Sequence, residues 1–394
     1  MHKYLSLIAI ALVSQGCGSG GSSEPTPIEP GGDGSVDDVS IHGDASDHPD
    51  VSESDGKPDT AKPDGAPGED GPLPPQEAGP DAPNESSPPV TYMTVVMAGD
   101  VAEDGRTQYA KINAEHITSH DPPVQAVVLL GDNARYDLLS IKTLLSYYNT
   151  YYKAPNEANW GQFDPISFPQ LGNHEYGSLN PQGYFDYFKP RMNAIKALPD
   201  YSGFIDVKGK AYYSFDLNGW HFVSLNANCS SVDGGGCGPG SEQEKWLKAD
   251  LAAHPNQPII GAWHNPRWAC GGSHESDSDM QAFWADLYDA RADFVFVGHD
   301  HYYQRWKPLD KGVPEAQVDA VNGLIEVVAG SCGVSTYGVC DPVDPRIDSQ
   351  AGDAGGMGVF FLKLGSDGSY SFEYVLESDG SVFDSGSGVS HHAP

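Results

Sequence analysis

Residues 18–90 cannot build a hydrophobic core, and this limits what the 394-residue chain can fold into. The segment holds 14 prolines and no aromatic residue, and its 17 acidic residues are matched by only Lys57 and Lys62. Such a composition buries too little apolar surface to offset the conformational entropy that folding would cost. We therefore predict a disordered acidic tether over 18–90 and one large folded domain over 91–394, which is rich in Tyr, Trp and Phe.

The first 17 residues have the pattern of an export signal. Lys3 precedes an apolar run, 4–13, that is too short to span a bilayer but has the length of a signal-peptide core. Gly16 stands directly before Cys17, as in the lipobox of bacterial lipoproteins, and the tether begins immediately afterwards. We predict export and a lipid anchor on Cys17 at the outer face of a bacterial membrane. The alternative is an ordinary signal peptide, cleaved nearby, and a periplasmic or secreted protein.

Cysteine usage agrees with an oxidising compartment. Cys229 and Cys237 bracket one short polar loop, and Cys332 and Cys340 bracket another. We expect each pair to form a disulfide, which leaves Cys270 unpaired. The sequence contains no Cys-x-x-Cys pair, and this argues against a zinc site built on thiolates.

The balance of charge excludes one class of function. The chain has 22 Lys and Arg against 55 Asp and Glu, a formal net charge of −33, and the excess of acids continues into the folded domain. An acidic surface without a basic, aromatic-rich run repels the phosphate backbone of nucleic acids. We therefore expect no nucleic-acid recognition, and contact with a membrane only through the N-terminal lipid.

Short apolar runs alternate with amphipathic stretches along the folded domain, which is the pattern of an α/β fold. We expect buried strands at 93–98, 126–130, 258–263 and 294–297, and helices at 106–119, 137–151, 241–253 and 279–290. Two hairpins are expected, 211–217 with 220–225 across Asn218-Gly219, and 358–364 with 370–376. Together these elements favour a mixed two-sheet sandwich flanked by helices.

Polar residues cluster where the predicted strands end. The clusters are Gly99-Asp100, Gly131-Asp132-Asn133, Gly172-Asn173-His174-Glu175, Trp263-His264-Asn265-Pro266 and Gly298-His299-Asp300-His301. Ligands collect at the carboxyl ends of strands in an open α/β sheet, because loops there present side chains on a rigid frame. Oxygen and imidazole donors without thiolates suit iron, manganese and zinc. Each cluster alone is a common turn, but five in this order indicate a metal site.

This order of motifs resembles the calcineurin-like metallophosphoesterases, and within them the purple acid phosphatase-like branch. The resemblance covers 91–388 and implies a four-layer αββα sandwich of two mixed β-sheets with a two-metal centre at the rim. By that resemblance Asp132 bridges both ions. Asp100 and His301 would hold the first ion, and Asn173, His264 and His299 would hold the second.

One position departs from the purple phosphatase pattern. Those proteins place a tyrosine ligand three residues after the bridging aspartate, where this chain has Arg135 and the tyrosine follows at Tyr136. Either the loop bulges and Tyr136 binds the first ion, or that site has one ligand fewer. A phenolate would favour ferric iron, and its absence would leave exchangeable manganese, zinc or ferrous iron.

The resemblance implies hydrolysis of phosphate esters at two metal ions, iron paired with zinc, manganese or a second iron. A hydroxide derived from water attacks phosphorus, and no Ser or Cys nucleophile is required. His174 is the expected proton donor, and His274, Arg267 and Arg135 are candidate contacts for the substrate phosphate. We expect an exported phosphomonoesterase acting on phosphorylated small molecules. The alternative is a phosphodiesterase or nucleotidase with the same metal centre. A third hypothesis is a non-enzymatic surface protein whose site has lost metal ligands.

Overall fold

The computed structural model describes residues 89–135, 143–177, 181–272, 274, 276–313 and 315–393. The leader with Cys17, all but the last two residues of the predicted tether, and Tyr136 lie outside these ranges, so the predictions made for them stay predictions. Among the described helices, none combines the length and the apolar character that crossing a bilayer requires.

The described residues form 16 strands. In chain order they are β1 Tyr92–Ala98, β2 Ala102–Glu103, β3 Ala126–Leu129, β4 Ala134–Arg135, β5 Ser167–Pro169, β6 Ser202–Gly203, β7 Tyr213–Leu217, β8 Trp220–Ser224, β9 Ile259–Ala262, β10 Phe294–Val297, β11 Tyr303–Trp306, β12 Ile325–Ala329, β13 Ile347–Ala351, β14 Gly358–Gly365, β15 Ser369–Leu376 and β16 Val382–Val389. The four buried strands predicted from the sequence correspond to β1, β3, β9 and β10.

Two large sheets contain most of these strands. The first has the order β16-β15-β14-β1-β3-β5, and the second has the order β13-β11-β12-β10-β9-β8-β7-β6. In the first sheet β1, β3 and β5 run parallel, while β14 pairs with β1 in the antiparallel sense. In the second, β8, β9, β10 and β12 run parallel. The mixed sheets expected from the sequence are confirmed.

Both predicted hairpins are present. β7 pairs with β8 in the register Leu217 with Trp220, and β14 pairs with β15 in the register Leu364 with Tyr370. The first turn places Asn218 and Gly219 at φ of 50° and 86°. A two-residue turn of this kind matches the twist of the flanking strands but needs positive φ at both positions, and Asn followed by Gly tolerates this best.

The helices lie between strands, with two that the sequence pattern did not predict. They are α1 Thr107–Ser119, α2 Leu144–Tyr147, α3 Asn173–Tyr176, α4 Gln182–Ile195, α5 Glu242–Ala253 and α6 Gln281–Asp289. The prediction of one α-helix over 137–151 is wrong in its described part, because α2 gives way to a π-helical turn at Tyr148–Tyr152. The short α3 and the longer α4 were missed. Ser241 caps α5, since its side chain accepts the backbone N–H of Glu244.

The two sheets pack face to face with helices on both outer sides. Phe168 of β5 stacks on Phe215 of β7 at 3.8 Å, and Tyr303 of β11 stacks on Tyr374 of β15 at 3.9 Å. Buried residues of α5 and α6 form one apolar cluster with the second sheet, and those of α1, α2 and α4 belong to the cluster that contains the first sheet. The architecture is the four-layer αββα sandwich.

One of the two predicted disulfides is present and the other is corrected. Cys229 bonds to Cys237 as expected. Cys340 bonds to Cys270 instead of Cys332, and Cys332 is buried as a free thiol. The prediction failed because it weighed separation along the chain, whereas the fold brings the Cα atoms of Cys270 and Cys340 to 5.3 Å across 70 positions.

Candidate metal centre

The central strands of both sheets end at one rim of the sandwich. Gly99, after β1, donates its backbone N–H to the carbonyl of Ala329 at the end of β12 (2.9 Å). Gly298, after β10, donates in the same way to His264 after β9 (2.9 Å). The loops after these strands therefore lie side by side, and they carry the polar clusters singled out in the sequence.

Three of the expected metal ligands have left-handed backbone conformations. Asp100, Asp132 and His299 have φ of 56°, 48° and 69°. Holding a non-glycine residue in a sparsely populated region of φ and ψ costs about 1 to 3 kcal/mol, and such backbone strain concentrates at functional sites. Next to Asp132, Gly131 has φ of 88°, and a Cβ there would lie 2.6 Å from His264 Nδ1, so only glycine fits between the two loops.

One group of ligand types is tightly packed at the rim. Asp100, Asp132 and His264 each offer a ligand atom, and these atoms lie within 4.8 Å of one another. All three side chains are buried. Among the described residues, Asp100 Oδ1 has no hydrogen-bond partner, although His301 Nε2 is 3.3 Å away. A buried carboxylate oxygen is costly without a donor or a cation to balance it, so this donor set fits a metal ion.

The electrostatics favour the metal-binding form of Asp132 and of His299, whereas His264 holds a proton that an ion would displace. Burial raises the pKa of Asp132, but His264 and His174 outweigh it and the net shift is downward. Burial lowers the pKa of His264, but Asp132, whose Oδ2 is 3.5 Å from His264 Nε2, raises it to about 9. Burial and the neighbouring His264 lower the pKa of His299 to about 2. Asp132 is therefore ionised and His299 neutral, and these are the forms that bind metals.

A second group of ligand types converges on Asn173. Its Oδ1 lies 3.0 Å from His264 Nε2 and 2.9 Å from His299 Nδ1. Ligand atoms that share one ion at about 2.0 to 2.2 Å are separated by distances of this order. His264 Nδ1 donates to the Leu130 carbonyl at 2.7 Å, which leaves Nε2 as the atom that can bind an ion.

Arg135 lies beside the ligands expected for the first ion. Its Nη1 is 3.2 Å from His301 Nε2 and 3.7 Å from Glu103 Oε1. Burial lowers the pKa of Arg135, but Glu103 outweighs it and the net shift is upward. A permanent positive charge therefore borders the place where an anionic substrate would approach. Tyr136, the other candidate at this position, is outside the described residues.

His174 lies next to Asp132 without taking part in either group of ligand atoms. Its backbone N–H donates to Asp132 Oδ1 at 2.8 Å, and its Nε2 is 3.8 Å from Asp132 Oδ2. The side chain is 19% exposed, and Nδ1 has no hydrogen-bond partner within the described part of the chain. The side chain therefore lies at the rim beside Asp132, and its expected role as a proton donor stays a prediction.

Glu175 connects the loops of the site by hydrogen bonds to their backbone, a role that the sequence did not reveal. Its buried carboxylate accepts the backbone N–H groups of Asp132, Asn133 and Gly172 at 2.7 to 2.9 Å, and the hydroxyl of Tyr148 at 2.8 Å. Burial and the nearby Asp132 raise its pKa to about 7. The sequence feature that could have identified this role is the position of Glu175 directly after Asn173-His174. An acidic side chain beside a glycine turn can accept hydrogen bonds from backbone N–H groups.

His274 is brought to the site as expected. Its ring stacks on His299 with centroids 4.1 Å apart, and it meets the edge of Tyr337 at 5.9 Å. Burial and the nearby His301 lower its pKa. Tyr337 itself stacks on His301 at 4.2 Å, and nothing in the sequence pattern had marked it. These rings therefore pack against His299 and His301, two of the candidate ligands.

Arg267 is directed elsewhere. Its Nε and Nη2 donate to Gln281 Oε1 at 2.9 and 2.6 Å, and the guanidinium lies 3.8 Å from the ring centre of Trp268. The expectation that Arg267 reaches the substrate phosphate is not supported, because these contacts hold the guanidinium against α6. Chain proximity to His264 had suggested the role, but the side chain turns toward the outer helix.

A further set of ligand types lies away from the rim. Asp216, His221 and His254 also offer atoms within 4.8 Å of one another. Here His221 Nδ1 is 2.8 Å from Asp216 and Nε2 is 2.9 Å from Asp250, so both ring nitrogens are already paired. This cluster is a satisfied buried network, and its imidazole has no nitrogen left for an ion.

Comparison with known proteins gives a consistent result. Residues 93–303 match the family model of calcineurin-like phosphoesterases. The chain is similar to purple acid phosphatase 22 of Arabidopsis thaliana, with 28% identity over 240 residues, which cover 56% of this chain and 47% of that protein. It is also similar to the uncharacterized protein Rv2577 of Mycobacterium tuberculosis, with 27% identity over 42% of this chain and 35% of that protein. The chain thus spans about half the length, or less, of these relatives.

Two solved structures share the fold. The purple acid phosphatase PPD1 from yellow lupin seeds superposes with a TM-score of 0.53 and 19% identity, over 75% of this chain and 53% of that one. GAP50, described as the anchor in the inner membrane complex of Plasmodium, superposes with a TM-score of 0.54 and 16% identity, over 76% of this chain and 89% of that one. Both likenesses concern the architecture alone.

Proposed function

The chain belongs to the calcineurin-like phosphoesterase family, and from this premise we propose that it is an exported, acid phosphatase-like hydrolase of phosphate monoesters that uses two metal ions. One observation carries the proposal. Asn173 Oδ1 meets His264 and His299 at 2.9 to 3.0 Å beside the buried carboxylates of Asp100 and Asp132. Two adjoining groups of donors that share His264, with Asp132 Oδ2 3.5 Å from His264 Nε2 and close to Asp100, support a centre for two ions rather than one.

The roles proposed for the ligands follow from their positions. Asp132 would lie between the ions, Asp100 and His301 would hold the first, and Asn173, His264 and His299 the second. When bound, the ions would lower the pKa of a water molecule and neutralise the charge on a phosphate. We propose iron in one position and zinc, manganese or a second iron in the other, because these ions accept mixed carboxylate, amide and imidazole donors.

His174 is the proposed proton donor to the leaving oxygen. Its backbone is held by Asp132 Oδ1, whereas its Nδ1 has no partner among the described residues. An imidazole that is fixed in place but not fully paired can be positioned to donate a proton to a leaving oxygen. The alcohol formed from the ester would take this proton as the bond to phosphorus breaks.

Arg135 and His274 are the proposed contacts for the phosphate group. Arg135 presents a planar, permanently charged guanidinium beside His301. His274 lies on the ring of His299. The substrate would be a phosphorylated small molecule, because these two contacts and the metal centre all recognise phosphate and none recognises a base or a sugar.

The test uses the purified full chain. Metal content is measured first, and then hydrolysis of 4-nitrophenyl phosphate is compared with that of bis(4-nitrophenyl) phosphate. We expect about two ions per chain and faster hydrolysis of the monoester. Asp132→Asn should lose both ions and the activity, while Asp164→Asn, a partly buried acid paired with Tyr187 away from the site, should keep them. Faster hydrolysis of the diester would favour a phosphodiesterase or nucleotidase, and a chain without ions or hydrolysis would contradict the proposal.

Export is part of the same proposal. Two disulfides occur among the described residues, and disulfides persist in oxidising compartments. With the signal-like leader and the proline-rich acidic segment, they support a lipid-anchored domain at the outer face of a bacterial membrane, or a periplasmic or secreted one. The prediction for Cys17 given in the Discussion separates these cases.

A further inference from the structure

One loop, residues 335–340, covers His301, and we name it the clamp loop. His301 Nδ1 donates to the Ser335 carbonyl at 2.6 Å, and the Tyr337 N–H donates to the His301 carbonyl at 2.8 Å. The Tyr337 ring stacks on the imidazole with centroids 4.2 Å apart and planes at 11°. These three contacts fix the plane of the imidazole and the nitrogen that carries its proton. They leave Nε2 facing Asp100 Oδ1, 3.3 Å away, and Arg135 Nη1, 3.2 Å away.

The clamp loop is anchored at both ends. At its start, the Ser335 N–H donates to Glu103 Oε2 at 3.1 Å. At its end, Cys340 forms the disulfide with Cys270 and donates its N–H to the Cys270 carbonyl at 3.2 Å. Between these anchors, Gly338 accepts the N–H of Gly272 at 2.8 Å. The loop therefore has few ways to leave His301 while the disulfide is intact.

The disulfide is itself tied to the edge of the second sheet. Gln304 of β11 accepts the N–H of Cys270 at 3.1 Å and donates to its carbonyl at 2.8 Å. Gln350 of β13 donates to the Cys340 carbonyl at 3.1 Å. The bridge thus joins the segment after His264 to the loop over His301, and it does so on a rigid support.

We propose that the Cys270–Cys340 disulfide is a positioning element of the metal centre, which holds the clamp loop against His301 and so maintains the affinity for the ion next to Asp100. The groups around a metal-binding histidine orient its ring and fix its tautomer, and their loss weakens metal binding. Without the covalent tie the loop gains conformational freedom, and part of the time it leaves His301 unoriented. This inference rests on the proposed function in one respect, that the rim binds two ions.

The chain offers a matched control in its other disulfide. Cys229–Cys237 closes a loop of 8 positions, and its sulfur atoms contact the carbonyls of Ala227 and Asn226. It has the same chemistry as Cys270–Cys340, and among the described residues its sulfur atoms contact no candidate metal ligand. A general effect of losing a disulfide would appear in both variants.

The experiment compares the full-length double variants Cys270→Ser/Cys340→Ser and Cys229→Ser/Cys237→Ser with the wild-type chain. Each is loaded with zinc or manganese and titrated with a chelator of known affinity while bound metal and thermal unfolding are followed. We expect one ion of the first variant to bind about 10- to 100-fold more weakly. The second ion, and both ions of the control variant, should keep their wild-type affinity.

A second pair of variants keeps the inference testable if the first variant does not fold. Tyr337→Phe retains the ring on His301, whereas Tyr337→Ala removes it. We expect Tyr337→Phe to hold both ions as the wild type does, and Tyr337→Ala to lose affinity for one of them. Equal binding by these two variants would overturn the role given to the clamp loop.

The outcomes separate this inference from the proposed function. A wild-type chain that binds no ion contradicts the proposed function itself. A wild-type chain that binds two ions, with unchanged affinity in the Cys270→Ser/Cys340→Ser variant, overturns only the inference. Equal weakening of both ions also overturns it, because the disulfide would then stabilise the whole rim rather than orient His301.

Discussion

Glu175 Oε2 accepts the backbone N–H of Asp132 at 2.9 Å and that of Gly172 at 2.7 Å. One buried carboxylate therefore joins the loop after β3 to the loop after β5. Those loops carry Asp132 and Asn173, which the proposal assigns to the bridge and to the second ion. The distance between the two loops, and with it the geometry of the candidate centre, depends on a residue that would bind no metal.

Replacing Glu175 by glutamine tests this dependence. Glutamine has one acceptor oxygen in place of two, and its amide N–H groups would face backbone donors. We expect Glu175→Gln to lower the free energy of unfolding by about 1 to 3 kcal/mol, the usual cost of unsatisfied buried donors, and to weaken metal binding. Urea unfolding and metal titration measure the two effects. Glu244→Gln, at the start of α5, is the control and should leave metal binding unchanged; a Glu175 variant with native stability would refute the role.

His174→Ala should separate proton transfer from metal binding. The side chain lies outside both groups of ligand atoms, so bound metal should remain close to the wild-type amount. The value of kcat should fall about 10²- to 10⁴-fold, which is typical for a positioned acid. His116→Ala, on α1, serves as the control and should change neither quantity. Loss of an ion in the His174 variant would identify this residue as a ligand.

The identity of the first metal can be read from colour. A phenolate bound to ferric iron absorbs visible light, so the iron-loaded chain should be coloured if Tyr136 coordinates. We expect Tyr136→Phe to abolish the colour and Arg135→Ala to retain it, as followed by absorption spectroscopy of samples with equal iron content. A wild-type chain that is active and fully loaded but colourless would exclude the phenolate and make Arg135 the residue that distinguishes this site.

The His221 network predicts a pH dependence of stability. Burial lowers the pKa of His221, but Asp216 and Asp250 outweigh it and the net shift is upward. Protonated His221 therefore stabilises the folded state. This stabilisation is complete below the pKa of His221 in the unfolded chain, about 6.5, and it is lost as pH rises through the higher pKa of His221 in the folded chain. The stability difference between the wild type and His221→Gln should therefore shrink as pH rises above about 6.5. Urea unfolding across this range measures it, and a constant difference would contradict the prediction.

Cys17→Ser tests the anchor separately from the chemistry. If a lipid on Cys17 holds the protein, this substitution should move it from the membrane fraction to the soluble fraction. Hydrolysis by the released domain should be unchanged, because the site lies beyond a tether with no core of its own. Cell fractionation followed by an activity assay gives the result. An unchanged membrane fraction would rule out lipidation at this position.

Local patterns in the sequence were sufficient for four buried strands, the two hairpins and most of the candidate site. Apolar runs marked β1, β3, β9 and β10, and the Asn218-Gly219 pair specified a turn that needs positive φ twice. Most of the residues proposed as ligands follow a predicted strand, and their assignment to two ions came from the family that the order of the motifs resembles. The α/β class and the order of the motifs therefore needed no tertiary information.

Only the tertiary structure decided which distant groups meet. Cys340 pairs with Cys270 rather than with Cys332, which is nearer in sequence, and Glu175 accepts the backbone N–H of Asp132. Tyr337 stacks on His301, while Arg267 turns to Gln281 despite its place after His264. Each of these contacts depends on how two sheets and their loops pack, and packing energy is summed over residues far apart in the chain. A local pattern determines which chemical groups a segment contributes, and the packed fold determines which other groups they contact.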